Sequence, residues 1–346
     1  MNPITLSLLA ISLTIGTIIT ASSSHWLLAW AGLELNTLAI IPIISKQHHP
    51  RATEAATKYF FTQATASALI VFASTTNAWK TGQWDISQVF LPETSMIITL
   101  AIAMKLGLAP FHFWLPEVLQ GSTLTVAMII STWQKLAPSA LLLMTINNLN
   151  QTVLLLLGLS SATIGGWMGL NQTQTRKIMA FSSIAHMGWM FTALSLSPNI
   201  STLVLFTYLI LTSATFLALA TTTSKTLKDL GTNWPMTPTL LTITMLSLMS
   251  LGGLPPLTGF LPKWLVLKEL VSMNLPIIST LMALSTLPSL FFYLRMSHMT
   301  TLTLPPSTMT TKHKWRFKTN PMRTITPTII LATLMLPVSP LISNFC

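Results

Sequence analysis

Four ionisable residues stand where apolar sequence surrounds them on both sides: Glu34, Lys105, Lys135 and Lys263. Glu34 and Lys105 lie near the middle of the apolar runs 25 to 44 and 95 to 113, and Lys135 near the middle of 122 to 146. A charge at the centre of a bilayer costs roughly 2.5–3.5 kcal/mol on insertion scales, and from mid-helix neither surface is within snorkelling reach. Such residues must face partners or water. Ion pairing alone does not account for them, because three interior lysines meet one interior glutamate. A buried lysine can also resolve its position by giving up its proton: desolvation favours the neutral amine, and a neighbouring carboxylate favours the ammonium. A row of such groups suits proton transfer.

The elements that position them must be membrane helices. Of 346 residues, 51% are hydrophobic, while 18 basic and 7 acidic residues make up only 7%. Globular domains carry about a quarter charged residues, so a water-soluble fold is excluded. A span needs about 20 mostly apolar residues. Eleven such stretches are predicted, at 3 to 22, 25 to 44, 53 to 76, 95 to 113, 122 to 146, 151 to 171, 174 to 195, 200 to 222, 238 to 272, 275 to 297 and 324 to 343. Apolar runs such as Ala140 to Met144 do not alternate as barrel strands would. The fold class is therefore an all-α polytopic bundle. The single cysteine, Cys346, excludes thiolate clusters built by this chain alone.

Lys263 follows Gly252-Gly253-Leu254-Pro255-Pro256-Leu257-Thr258-Gly259-Phe260-Leu261-Pro262, which cannot be continuous helix. Backbone broken at membrane depth is tolerated where it is buried in protein or lines a wet cavity. Without a gap, Gly107 to Glu117 can be laid over Gly253 to Lys263, with Gly, Leu, Pro, an aromatic, Leu-Pro and a charge in common. The two copies sit an odd number of spans apart, so they predict two inverted five-helix repeats, 1–146 and 147–297, each with a broken helix. A basic loop, 298–323, and a final span, 324–346, follow. The loop holds Lys312-His313-Lys314-Trp315-Arg316-Phe317-Lys318, either a solvated positive loop or a binder of anionic headgroups or an accessory protein. Loop cations concentrate on the side of the N-terminus, which the positive-inside rule places in the cytoplasm or matrix.

His112 follows Lys105 by seven residues and would share its face if the helix continued. It and His186 suit side branches of a relay by their ordinary pKa near 6.5, or serve as hydrogen-bonded packing residues. His48-His49 have no third ligand nearby, so no metal site is expected.

Gly32-Leu33-Glu34-Leu35-Asn36, Glu54 to Phe60, Lys105 to Trp114, Trp133-Gln134-Lys135, Gly169 to Gln174 and Gly252 to Trp264 resemble the mitochondrial, vertebrate-type, antiporter-like membrane-arm subunits of respiratory complex I, along essentially the whole chain. The related antiporter fold usually carries more N-terminal helices than are read here. The resemblance implies a proton relay through Glu34 and Lys105 as a pair, Lys135 in the centre and Lys263 at the end, driven by quinone reduction in other subunits. It also implies no cofactor on this chain, with FMN, iron–sulfur clusters and ubiquinone elsewhere in the complex, and bound phospholipid such as cardiolipin. Its implied neighbours are chains 4L and 4, its location the mitochondrial inner membrane with the N-terminus in the matrix and the C-terminus in the intermembrane space; nucleic acid has no part. Two other readings use the same residues: a free-standing cation/proton antiporter, and a structural subunit whose charges only specify packing.

Overall fold

The computed structural model describes residues 2–88, 91–235, 237–301, 316, 325–334 and 336. Among them every regular element is a helix, and extended pairing is confined to the isolated bridges His25 with Asp85 and Gln174 with Thr226. Two compact units result, Met1–Ser160 and Ser161–Cys346. Most of the predicted basic loop, including Lys312, Lys314, Lys318 and Arg323, and most of the last predicted span lie outside the described residues.

In the first unit, α1 (Pro3–Ser22) packs on α2 (Trp26–Ile44) through two glycines. A Cβ on Gly16 would stand 2.9 Å from the Gly32 carbonyl, and one on Gly32 2.9 Å from the Gly16 carbonyl. Small residues let membrane helices approach this closely. The far side of α1 exposes Ile4, Leu8, Ile11, Ile15 and Ile18, a face suited to lipid. Helix α3 (Pro50–Thr81) is longer than the predicted span because Pro50 starts it, the His49 ring caps the Arg51 N–H, and Gly82, at φ 73°, ends it. Its inner side is small and polar, with Ala52, Ala56, Ala66 and Ala73 between Tyr59, Gln63 and Asn77. That side receives α4 (Pro92–Leu106) and α5 (Trp114–Gly121). The stretch predicted as one span over 122 to 146 is α6 (Leu124–Ser131), a 3₁₀ turn at Trp133–Lys135 and α7 (Leu136–Thr145). Pro138 has no N–H to return to Gln134, which loosens the helix just there.

In the second unit α9 (Thr175–Leu194) is buried on nearly every side, with α10 (Pro198–Thr222) against it. The boundary between the units, at Ser160 and Ser161, falls within α8 (Gln151–Gly169). The short α11 (Leu227–Thr232) begins in a capping box formed by Thr226 and Asp229. Burial pushes the Asp229 carboxyl up, but the Thr226 and Lys225 amides, the Thr226 hydroxyl and the Lys225 charge together hold it below its ordinary value. Helices α12 (Pro238–Gly252) and α13 (Phe260–Ser272) are followed by α14 (Pro276–Thr301) and α15 (Ile325–Leu334), with α14 packed on both α12 and α13. Among the described residues, the helices long and apolar enough to cross a bilayer by themselves are α1, α2, the stretch Leu124–Asn148, α8, α10 and α14.

Candidate functional site

Each unit contains one helix cut by a glycine. Gly107 follows α4 at φ 76°, and Gly253 follows α12 at φ 83°, a left-handed conformation that glycine adopts without penalty. Both close the same Schellman cap. Gly107 N–H donates to Met104 O and Leu108 N–H to Ala103 O, while Gly253 N–H donates to Ser250 O and Leu254 N–H to Met249 O. The chain resumes as helix seven residues after each glycine, at Trp114 and at Phe260. Pro116 and Pro262 then fall in first turns, where an N–H would have no intrahelical acceptor anyway. The two stretches thus share a glycine cap and the register at which helix resumes, while the cis peptide Ala109-Pro110 has no counterpart at Pro255-Pro256; Glu117 and Lys263 occupy the same place, the fourth residue of the resumed helix.

A break leaves the last carbonyls of the first half without helical donors, and side chains take them. In the first unit the Trp114 indole N–H donates to Met104 O at 3.1 Å and the Gln63 amide to Lys105 O at 3.4 Å. Lys105 itself, 5% exposed in the last turn of α4, points its Nζ to within 3.5 Å of the Gln63 carbonyl. Trp114 stands edge-on to Tyr59, whose hydroxyl donates to Gln134 Oε1 at 3.5 Å. Gln134 precedes Lys135 in the 3₁₀ turn, and Lys135 is 3% exposed.

Lys105 and Lys135 line one cavity, bordered also by Asn36, Tyr59, Gln63 and Gln134. About 10 Å³ of it is open to the centre of a water, room for about one molecule. Its walls also carry unmatched polar atoms: both amide atoms of Asn36 and Nε2 of Gln134 are buried without a protein hydrogen bond. Buried groups of this kind usually bind ordered water. The site is therefore two buried amines in a pocket whose remaining polar atoms fit water.

Glu34, half-buried on α2, departs from the expected arrangement. It acts electrostatically on Lys105, yet the two do not form a salt bridge, and one Glu34 oxygen, Oε2, is buried without a hydrogen bond. The ion pairs among the described residues are Lys58 with Glu54, Lys58 with Glu117, and Lys80 with Glu93. His112 also differs from its expected placement. Because Gly107 ends α4, the seven-residue spacing does not bring His112 onto the face of Lys105. It is 3% exposed, next to the cis peptide Ala109-Pro110, with its ring packed on Phe113 at 4.3 Å.

In the second unit the Lys263 ammonium donates to Gly252 O at 2.8 Å, the carbonyl at the very end of α12. This amine, 9% exposed, bridges the break in its own helix. Tyr293 of α14 packs alongside. His186 lies on α9, with its ring 5.6 Å from that of Tyr208 on α10.

Tyr59, Gln63, Trp114 and Gln134 were not singled out from sequence as site residues. The signal available for Gln63 and Gln134 was an amide at membrane depth, which a uniformly apolar helix would not carry. Lys58 ties α3 to α5 through Glu117, one turn from Trp114, so an exposed ion pair stands beside the cavity wall.

Residues 23–288 match the family model described as NADH:quinone oxidoreductase/Mrp antiporter, TM, and residues 290–343 match NADH dehydrogenase subunit 2 C-terminus. The NADH-ubiquinone oxidoreductase chain 2 of Salmo salar is 55% identical over 99% of both chains, and that of Xenopus laevis 54% over the same shares. Among solved structures, a chain of respiratory complex I from Thermus thermophilus aligns with a TM-score of 0.86 at 25% identity, covering 98% of this chain and 79% of that one. A chain of the Mrp complex from Dietzia shares the fold, with a TM-score of 0.81 at 17% identity, covering 97% of this chain and 75% of the other.

Proposed function

Because this chain belongs to the NADH-ubiquinone oxidoreductase chain 2 family and is a multi-pass membrane subunit of mitochondrial respiratory complex I, we propose that it carries protons across the inner membrane on buried lysines. The observation that carries the reading is the pocket shared by Lys105 and Lys135, with polar walls and room for about one water. A proton on one amine can leave along a hydrogen bond to that water and reach the other, provided the two are not both firmly charged. Two ammonium groups around one small cavity repel each other, so one proton is favoured over two.

Glu34 biases the balance. Its carboxylate is in electrostatic reach of Lys105 without touching it, so a shift of α2 changes the energy of a proton on Lys105 more than one on Lys135. In the second unit Lys263 serves as an amine of the same kind: protonated, it holds the Gly252 carbonyl, and on losing its proton it loosens that bond. His112 and His186 act as side branches. The repeats 1–146 and 147–297 are related by inversion on this reading, the N-terminus faces the matrix and the C-terminus the intermembrane space, and chains 4L and 4 are the membrane-arm neighbours. Flavin mononucleotide, iron–sulfur clusters and ubiquinone belong to other subunits, whose quinone reduction supplies the energy.

The test replaces Lys105 or Lys135 by methionine, in complex I reconstituted into vesicles, with NADH oxidation and proton transfer measured together. Normal assembly with fewer protons moved per NADH supports the relay. An unchanged ratio in both variants refutes it and leaves a structural subunit; proton exchange by the isolated chain without NADH favours a free-standing antiporter.

A further inference from the structure

We propose that the hydroxyls of Tyr208 and Tyr293, with Ser182 and Ser183 between them, carry protons between Lys263 and His186 within the second unit. The proposal rests on the relay reading and deepens it, by naming the groups that join His186 to the lysine. It starts from one face of α9. Ser182 and Ser183 precede His186 by four and three residues, so all three share a side of the helix. Both serines are fully buried, and each gives its own proton to a carbonyl one turn back, Ser182 to Met179 O and Ser183 to Ala180 O, at 2.7 Å. Their oxygens are left to accept.

Two tyrosines meet that face from different helices, each 1% exposed. Tyr208 of α10 has its ring centre 5.6 Å from that of His186, and its hydroxyl is hydrogen-bonded to Ser183. Tyr293 of α14 has Ser182 beside its hydroxyl and lies in electrostatic reach of Tyr208. Yet the Tyr293 hydroxyl completes no hydrogen bond with the protein. A buried hydroxyl left in that state usually holds an ordered water. The Cδ2 edge of the same ring faces the helix break: a Cβ on Gly252 would lie 3.7 Å from it, and the Gly252 carbonyl accepts from Lys263 Nζ at 2.8 Å. The ring thus connects the serine face of α9 with the residue that holds the lysine, and a water on its hydroxyl supplies the last link.

The transfer makes no lasting change in the row. A proton leaves the Lys263 ammonium for the water, the water passes one of its own to the Tyr293 oxygen, and the phenol's proton moves on through the serines to Tyr208 and the imidazole. Each oxygen gains one proton and loses one, so the lysine ends as amine and His186 as imidazolium, with no tyrosinate left behind. Each serine hydroxyl need only swing away from its backbone carbonyl, a rotation about one bond.

The test uses assembled complex I in vesicles, with protons moved per NADH and melting temperature measured for Tyr293→Phe, Tyr208→Phe, Lys263→Met and the combination of Tyr293→Phe with Lys263→Met. Phenylalanine keeps each ring and removes only the hydroxyl. The expected result is a proton ratio lowered by each Phe variant as far as by Lys263→Met, no further loss in the combination, and normal melting. Ser182→Ala, which removes the intervening oxygen and leaves both rings, should reproduce the loss. A normal ratio in both Phe variants, an additive loss in the combination, or a loss that merely follows a lower melting temperature would overturn the bridge. Lys105→Met and Lys135→Met separate this proposal from the reading beneath it: a ratio lowered there but normal in the Phe variants removes the bridge alone, and a normal ratio throughout removes the relay with it.

Discussion

Gly259→Ala probes the break in the second unit. Its φ of −68° is ordinary for alanine, so no backbone strain arises, and the effect is purely steric. An added Cβ would lie 1.8 Å from the Ser250 carbonyl oxygen and 2.8 Å from its carbon. Real Cβ contacts essentially never fall below 3.0 Å, so the loop and α12 must separate by about 1.2 Å, the difference between 3.0 and 1.8. Both partners are backbone, and no rotamer change relieves the clash. Overpacking costs about 1–3 kcal/mol, and a clash against main chain belongs at the upper end. The same separation draws Lys263 from Gly252 O, now 2.8 Å away, leaving a buried carbonyl short of a donor. Gly252→Ala is the control: its Cβ would meet only the Tyr293 ring at 3.7 Å, and alanine is favoured over glycine in a helix by about 1 kcal/mol. Thermal melting of the assembled complex, with proton transfer per NADH, should show Gly259→Ala clearly destabilised and less coupled, and Gly252→Ala close to normal. Equal melting of both variants and the unaltered protein would refute the close approach of the loop to α12.

Three further outcomes follow from the packing. Gly32→Val places its Cβ 2.7 Å from Thr20 Cγ2 and 2.9 Å from the Gly16 carbonyl, so the complex should melt lower by the equivalent of about 1–3 kcal/mol. Asp229→Asn removes half of the capping box, and amide exchange at the start of α11 should rise about fivefold, as for a loss of ~1 kcal/mol. The folded-state pKa of Asp229 lies below its ordinary 3.8, so its contribution is present above 3.8 and lost as pH falls through the folded value; the two proteins should converge there. Lys58→Met breaks two exposed ion pairs, each of the kind worth about 0–1 kcal/mol, so melting should hardly change.

The break in the second unit was legible because glycine and proline act through covalent geometry, which does not depend on neighbours: Gly253 caps α12 where the sequence placed the discontinuity, whereas Gly107 ends α4 inside the predicted span 95 to 113. The burial of Lys105, Lys135 and Lys263 was legible for a related reason, since a mid-span charge has nowhere else to go. Contacts were harder. Spacing alone suggested that His112 lay over Lys105, but the relation held only if α4 continued, and Gly107 stops it. The family resemblance implied a Glu34 to Lys105 pair, yet opposite charge fixes attraction and not distance. Tyr59, Gln63, Trp114 and Gln134 come from three separate segments and meet only in the folded unit. The interruption at Trp133–Lys135 had a sequence cue in Pro138, three residues on, but proline is common enough in membrane helices that it did not stand out.

The central claim is that Lys105 and Lys135 exchange a proton through water held in the pocket between them. The measurement that addresses it most directly is an experimental map of the assembled complex that resolves ordered water in the first unit. The account predicts a water within hydrogen-bonding distance of both amines, also bonded to Asn36 or Gln134. A dry pocket, or amines separated by packed side chains with no water touching either, would contradict it.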